Sequence, residues 1–213
     1  MKKIINIAVI GGGYNSTISG THLKSILATG KYKVSCGFFS KDKNKNIKNS
    51  SLYGIDKNKA YNDLNQLLVQ EKNNFDIALV LVPPNSKYKI FKELAKHNVD
   101  IISEKPFDGN LLSAKKSYKL LKKKKIFFAT TYNYLGYPAI MEIKPLIKKK
   151  IGKVLNFIIE MPQQAFTYQK SKVKKWRLLD LEIPNLHLDL ASHLLSLVIY
   201  FFNENPREVM SFQ

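Results

Sequence analysis

Through the first 131 residues, short β-branched runs alternate with longer helical patterns, and that alternation leaves a chain few ways to fold. Strands are read at 4–10, 33–39, 76–82, 99–103 and 126–131, with helices at 16–29, 43–53, 62–71, 86–97 and 111–123 between them. Strands joined through helices cannot pair as hairpins. They pair in parallel, with helices on both faces of the sheet. The run Asp76-Ile77-Ala78-Leu79-Val80-Leu81-Val82 is almost wholly apolar, which is the composition of a central parallel strand buried on both faces. Pro83 and Pro84 stop it. Gly54 closes the 43–53 helix, and an Asn/Asp cap opens the helix at 62.

Beyond residue 135 the pattern changes. A helix is read at 137–150 and an alternating strand at 153–161. An irregular polar stretch covers 163–183, an apolar helix 185–202 and a short strand 207–212. The expected fold class is α/β: a doubly wound parallel sheet over residues 1–131, followed by an incomplete α+β domain with an open sheet over 132–213. An unfinished sheet exposes strand edges, so self-association is expected.

Composition narrows the function. The net charge is +19, which raises the question of nucleic acid. The lysines, however, are spread along the chain, and the runs at 122–125 and 148–150 fall at expected helix ends, where cations complement the helix dipole. No aromatic-basic interleaving or nucleic-acid motif occurs, and an anionic cofactor or substrate would equally welcome the charge. Cys36 is the one cysteine, so no internal disulfide can form, and a reducing, cytoplasmic setting is expected. The apolar run at 4–10 contains Asn6 and runs straight into glycines, which suits a strand better than a leader peptide. The stretch 186–202 carries His187, Asp189 and His193, which argues against a membrane span.

Four features carry chemistry. Gly11-Gly12-Gly13-Tyr14-Asn15-Ser16 follows the first strand and opens a helix, with Ser16 in the third glycine's place of the dinucleotide pattern. Such a turn needs glycine for its backbone angles and for the close approach of pyrophosphate; a plain β–α turn is the competing reading. At the end of the second strand, Ser40 and Lys41 offer a hydroxyl and a cation suited to the 2′-phosphate of NADP, while Asp42 competes as a partner for the ribose 2′-hydroxyl of NAD. Glu104-Lys105-Pro106 ends a parallel strand, where open α/β folds bind ligands. Asp189 and His193 are four apart on an expected helix, a spacing that puts carboxylate and imidazole on one face. A satisfied buried pair is the competing reading there, and His187 suits a capping role.

Taken together, these residues resemble the glucose–fructose oxidoreductase, inositol dehydrogenase and rhizopine-catabolism (Gfo/Idh/MocA) family. The carriers are residues 7–13, Pro83-Pro84-Asn85, Glu104-Lys105-Pro106, Tyr132-Asn133-Tyr134, and Asp189 with His193. The glycine triplet followed by Ser16, Ile18 and a later His22 is similar to one subgroup. The resemblance implies a Rossmann domain and a catalytic group of Lys105, Asp189 and His193. It also implies cofactor contacts from Gly11, Gly12, Gly13, Ser16, Ser40, Lys41, Pro84, Asn85, Glu104 and Lys105, and substrate contacts from Asn133, Tyr134, Trp176 and His193. No metal is implied. Pro83 replaces the family's usual threonine, Tyr88 a common histidine and Ala191 a common glycine. The activity implied is hydride transfer between NAD(P), with NADP favoured, and a hydroxyl-bearing carbon of a sugar, polyol or nucleotide-linked sugar. Homo-oligomers are expected where the second domain is complete. The alternative is a non-catalytic dinucleotide-binding protein or a truncated remnant.

If the lysines form only a solvated surface, duplex DNA will bind weakly and lose affinity steeply as salt rises. Sequence-specific, nanomolar binding at physiological salt in a fluorescence-anisotropy titration would show that nucleic acid is the partner.

Overall fold

Five parallel strands form the sheet: β1 (Ile5–Gly11), β2 (Tyr32–Phe38), β3 (Ile77–Leu81), β4 (Asp100–Glu104) and β5 (Phe128–Thr131), in the spatial order β2-β1-β3-β4-β5. Between them run α1 (Ser19–Thr29), α2 (Lys43–Tyr53), α3 (Leu64–Gln70), α4 (Lys87–Lys96) and α5 (Leu111–Lys123). The structure is a computed structural model and describes residues 4–162 and 182–210. The chain separates into two compact units, Met1–Thr131 and Tyr132–Gln213.

The sheet is covered on both faces, as the continuous apolar runs demand. Ala8 and Ile10 of β1, with Ala78 and Val80 of β3, point into one core shared with Leu67, Phe91, Leu94 and Leu121. Ile7 and Val9, with Leu79 and Leu81, point into the other, against Ile26 and Tyr53. Successive side chains of a strand face opposite ways, so a strand with helices on both sides must be apolar throughout. Phe91, fully buried, stacks with Phe107 at 5.8 Å between ring centroids, and both meet Phe128 edge-on at 5.6 and 4.8 Å.

Punctuation follows local chemistry. Gly54 ends α2 in the left-handed conformation (φ 64°). Asp63 caps α3 by accepting the Gln66 N–H. One boundary departs from expectation: α1 begins at Ser19 rather than Ser16. The Ser16 N–H is bonded to the Gly13 carbonyl at 2.6 Å, and Ser19 Oγ donates to the Ser16 carbonyl at 3.0 Å. These local bonds hold a turn where the helix was expected to start.

In the second unit, α6 (Pro138–Leu146) runs into a π turn, Ile147–Ile151, and a second π turn, His187–Ala191, leads into α7 (Ser192–Phe202). The strands expected at 153–161 and 207–212 are not found: residues 153–161 and 207–210 pair with no other strand among the described residues. Alternating side chains make a strand only where another edge supplies its backbone partners. Phe157 instead packs on Phe201 and Phe202 of α7, at 5.8 and 5.2 Å between centroids. Trp176 and most of the irregular polar stretch lie outside the described residues.

Phe91→Ala should lower stability by about 3–5 kcal/mol, the usual cost of emptying a buried aromatic site. Urea unfolding will show a lower midpoint at unchanged slope. A loss of unfolding free energy under about 1 kcal/mol would mean that the three-ring cluster closes over the gap.

Candidate functional site at the carboxyl ends of the sheet

The chain reverses direction across the sheet between β1 and β3: from β1 it passes outward to β2, then returns to lay β3 on the other side of β1. In open α/β sheets, such a reversal opens a crevice beyond the carboxyl ends of the two strands, and ligands bind there. Gly11 ends β1, Ser40 and Lys41 follow β2, Pro84 and Asn85 follow β3, and Glu104 ends β4 just before Lys105. The expected cofactor residues of the first unit therefore share one edge of the sheet.

The glycine turn is tightly built. Gly11 and Gly12 have φ of 82° and 64°. A Cβ on Gly11 would come within 2.7 Å of the Leu81 carbonyl oxygen, and one on Gly12 within 2.8 Å of the Tyr53 hydroxyl. The Gly12 N–H donates to the Leu81 carbonyl at 3.2 Å. Two side chains of α2 hold the turn from below: Tyr53 donates to the Gly12 carbonyl at 2.8 Å, and Asn49 accepts the Tyr14 N–H at 2.6 Å. Burial pushes the Tyr53 hydroxyl up to about 12, so it stays a donor at neutral pH.

After β2, Lys41 is exposed and Ser40 half-buried. Asp42 caps α2: its Oδ1 accepts the N–H groups of Asn44 and Lys45 at 2.9 and 3.2 Å. Asp42 thus serves a helix end, and its own N–H donates to Ser40 Oγ at 3.1 Å.

Glu104 is the hub of the β4 end. Its Oε1 lies 2.7 Å from both His22 Nε2 on α1 and Thr131 Oγ1 on β5. Burial alone would raise its carboxyl. The His22 and Thr131 bonds, with the charges of His22 and Lys87, outweigh that and hold it below the usual range. Lys87, fully buried at the start of α4, donates to the carbonyls of Glu104 and Pro106, one on each side of Lys105. Burial pulls the Lys87 ammonium down from 10.5 to about 7, against the opposing pull of Glu104 and Asp108 and with a smaller push from Lys105. A neutral amine still has two protons for the two carbonyls. The Lys105–Pro106 peptide is cis. Pro84 is buried, and Asn85 is exposed with its amide against Gly109.

Within the second unit, His193 is buried between two rings, Tyr134 at 4.8 Å and Tyr132 at 5.9 Å, both edge-on. Asp189 is half-buried in the π turn, and His187 is exposed. Asn133 is exposed and donates to the Tyr137 hydroxyl at 3.4 Å. The π turn changes the helical phase between Asp189 and His193, so the four-residue spacing does not follow the regular α period assumed from the sequence.

Residues 5–132 match the model of an oxidoreductase family with an NAD-binding Rossmann fold, Gfo/Idh/MocA. The chain belongs to that family. The uncharacterized protein YMR315W of Saccharomyces cerevisiae is 27% identical over 201 residues, covering 94% of this chain and 56% of its own length. An inositol dehydrogenase homolog from Azotobacter vinelandii, solved with NAD+, superposes with a TM-score of 0.77 at 20% identity, over 94% of this chain and 54% of that one. A putative NADPH-dependent oxidoreductase from Desulfitobacterium hafniense gives 0.77 at 18%, over 95% and 56%. At these identities the two solved structures show likeness of fold. The chain spans about half the length of each of these relatives. No described helix is long and apolar enough to cross a membrane.

Sequence reading of this Gfo/Idh/MocA chain missed Lys87, Asn46, Asn49 and Tyr53. Nothing separates Lys87 from the many other lysines until its burial is known. The other three did carry a signal: spacings of three and four put them on one face of α2, a helix without an apolar stripe.

Lys87 yields a pH test. Its folded value lies below its unfolded one, so between about pH 7 and about 10.5 the unfolded chain holds a proton that the folded chain lacks, and this group's contribution to stability rises with pH across that window. Urea midpoints of wild type and Lys87→Met, taken near pH 7 and near pH 10, should diverge in favour of wild type as pH rises. Parallel pH profiles would mean that Lys87 stays charged throughout.

Proposed function

We propose that the chain works as an NAD(P)-dependent dehydrogenase or reductase acting on CH–OH groups, and that its substrate is a sugar, polyol or nucleotide-linked sugar. One observation carries the reading. Glu104-Lys105-Pro106 stands at the carboxyl end of β4, on the same sheet edge as the glycine turn, and Lys87 grips the backbone on both sides of Lys105. A lysine held beside a dinucleotide crevice suits polarisation of a substrate oxygen.

The residues present suit a dinucleotide. At Gly11 and Gly12 a Cβ would collide with Leu81 and Tyr53, so only glycine makes this close turn between strand and helix, a turn of the kind that suits a pyrophosphate, and Ser40 and Lys41 offer a donor and a cation for a 2′-phosphate. Similar solved structures are named for NAD+ and for NADPH, and Ser40 and Lys41 support NADP(H) for this chain. A bound nicotinamide supplies or accepts the hydride. The protein's part is geometry and proton movement. Lys105 polarises the oxygen, His193 takes or returns the hydroxyl proton, and Asp189 orients the imidazole or the substrate. The rings of Tyr132 and Tyr134 hold the His193 imidazole in place. Asn133, Tyr134 and Trp176 are assigned to the substrate. Glu104 is assigned with Lys105 to the cofactor, its Oε1 steadied by His22 and Thr131.

The test is turnover with NADP+ and NAD+ over a panel of sugars, inositols and nucleotide-linked sugars, followed by nicotinamide absorbance. Lys105→Ala, Asp189→Ala and His193→Ala should each lower kcat by about 10²-fold or more, while dinucleotide affinity changes little. Near-normal turnover in both Lys105→Ala and His193→Ala would show the catalytic assignment to be wrong. Tight dinucleotide binding with no turnover on any substrate would favour a non-catalytic binding protein.

A further inference from the structure

Helix α2 buries four residues, Asn46, Asn49, Ser50 and Tyr53, three of which reach the turns at the carboxyl ends of β1 and β2. Tyr53 and Asn49 hold the glycine turn. Asn46, 1% exposed, holds the other turn, with every polar function of its amide engaged. Its Oδ1 accepts the N–H groups of Phe39 and Ser40 at 3.2 and 2.9 Å, and its Nδ2 lies 2.6 Å from the Ser40 carbonyl, 3.0 Å from the Tyr61 carbonyl and 2.6 Å from Asn62 Oδ1. Asparagine alone of the short side chains offers two donors and an acceptor from one planar group. Aspartate would set an oxygen against three others, and leucine would leave two buried N–H groups without an acceptor.

The consequence falls on Ser40. Its N–H and carbonyl are taken by Asn46, and its Oγ accepts the Asp42 N–H at 3.1 Å. Of its hydrogen-bonding functions among the described residues, the hydroxyl proton remains, and a hydroxyl that already accepts can donate to a further acceptor. A 2′-phosphate is such an acceptor, whereas a ribose hydroxyl is better served by a carboxylate. The nearby carboxylate, Asp42, is occupied as a cap.

We propose that Asn46 is a specificity-determining residue: lying behind the turn and touching no cofactor, it fixes Ser40 as a donor aimed at the adenosine 2′ substituent, while Asn49 and Tyr53 on the same helix face fix the phosphate turn. The inference rests on the dinucleotide reading above. It divides the labour of α2, with one residue setting which nucleotide is chosen and two setting how tightly either is held.

Isothermal titration of the full chain with adenosine 2′,5′-bisphosphate and with AMP tests it, with folding of each variant checked by calorimetry. Wild type should prefer the bisphosphate by about tenfold or more. Asn46→Ser should cut that ratio by about fivefold or more, and Ser40→Ala similarly. The double variant should fall no further than the single ones, because the two residues act as one unit. Tyr53→Phe should weaken both nucleotides and leave the ratio alone. An unchanged ratio in Asn46→Ser, or additive effects in the double variant, would overturn the inference. A wild type that prefers AMP would overturn the NADP(H) reading instead; the change of ratio on Asn46→Ser would still decide the role of Asn46. Should Asn46→Ser fail to fold, amide NMR of wild type decides. The Asn46 side-chain and Ser40 backbone resonances should move more with the bisphosphate than with AMP, and equal shifts would count against Asn46.

Discussion

The close approach of the end of β1 to the end of β3 is the contact on which the first unit depends. The Gly12 N–H bonds to the Leu81 carbonyl, and a Cβ on Gly11 would stand 2.7 Å from that same oxygen. Only a chain without side chains at these two positions can turn this tightly over the neighbouring strand. The turn then lies low over the sheet edge, within reach of Tyr53 and Asn49 from α2. The helix that follows carries His22 to Glu104 at the end of β4. One tight turn thereby links the strands and helices that frame the crevice.

Buried polar groups do the rest of the positioning. A polar group removed from water must find partners or cost stability, and here the partners are loop backbones. Lys87 is satisfied only when the Glu104–Pro106 segment is in place, and Asn46 only when the Phe39–Ser40 turn is. Each buried group thus orders a loop. Burial of this kind does not by itself mark a site. Glu71, also fully buried, is met by Lys59, Tyr61 and Asn74, and it ties the loops before and after α3 to that helix's end. What separates Lys87 and Asn46 from Glu71 is that the loops they order end strands at the crevice.

Much of this was legible in the residues. The unbroken apolar run of β3 required helices on both faces, and two separate cores flank it. Gly54 ends its helix through a left-handed backbone and Asp63 caps the next through its carboxylate, each where its residue type led one to expect. The sequence did not separate Asp42 as a ribose partner from Asp42 as a helix cap, because an acid after a strand and before a helix suits both. Nor did it show that residues 153–161, though alternating, would find no strand to pair with among the described residues; pairing depends on a second segment that alternation says nothing about.

The amino-acid sequence by itself determined the parallel sheet, the order of its elements and the glycine turn, because periodicity, proline and glycine act through local sterics that hold wherever the segment lies. Tertiary structure alone decided which of many lysines is buried, which asparagines of a Lys- and Asn-rich helix serve as ligands for backbone, and whether an acid faces a cofactor or caps a helix. Those outcomes depend on which loops the fold brings against a side chain, and on the energy of leaving a polar group without water once it is there.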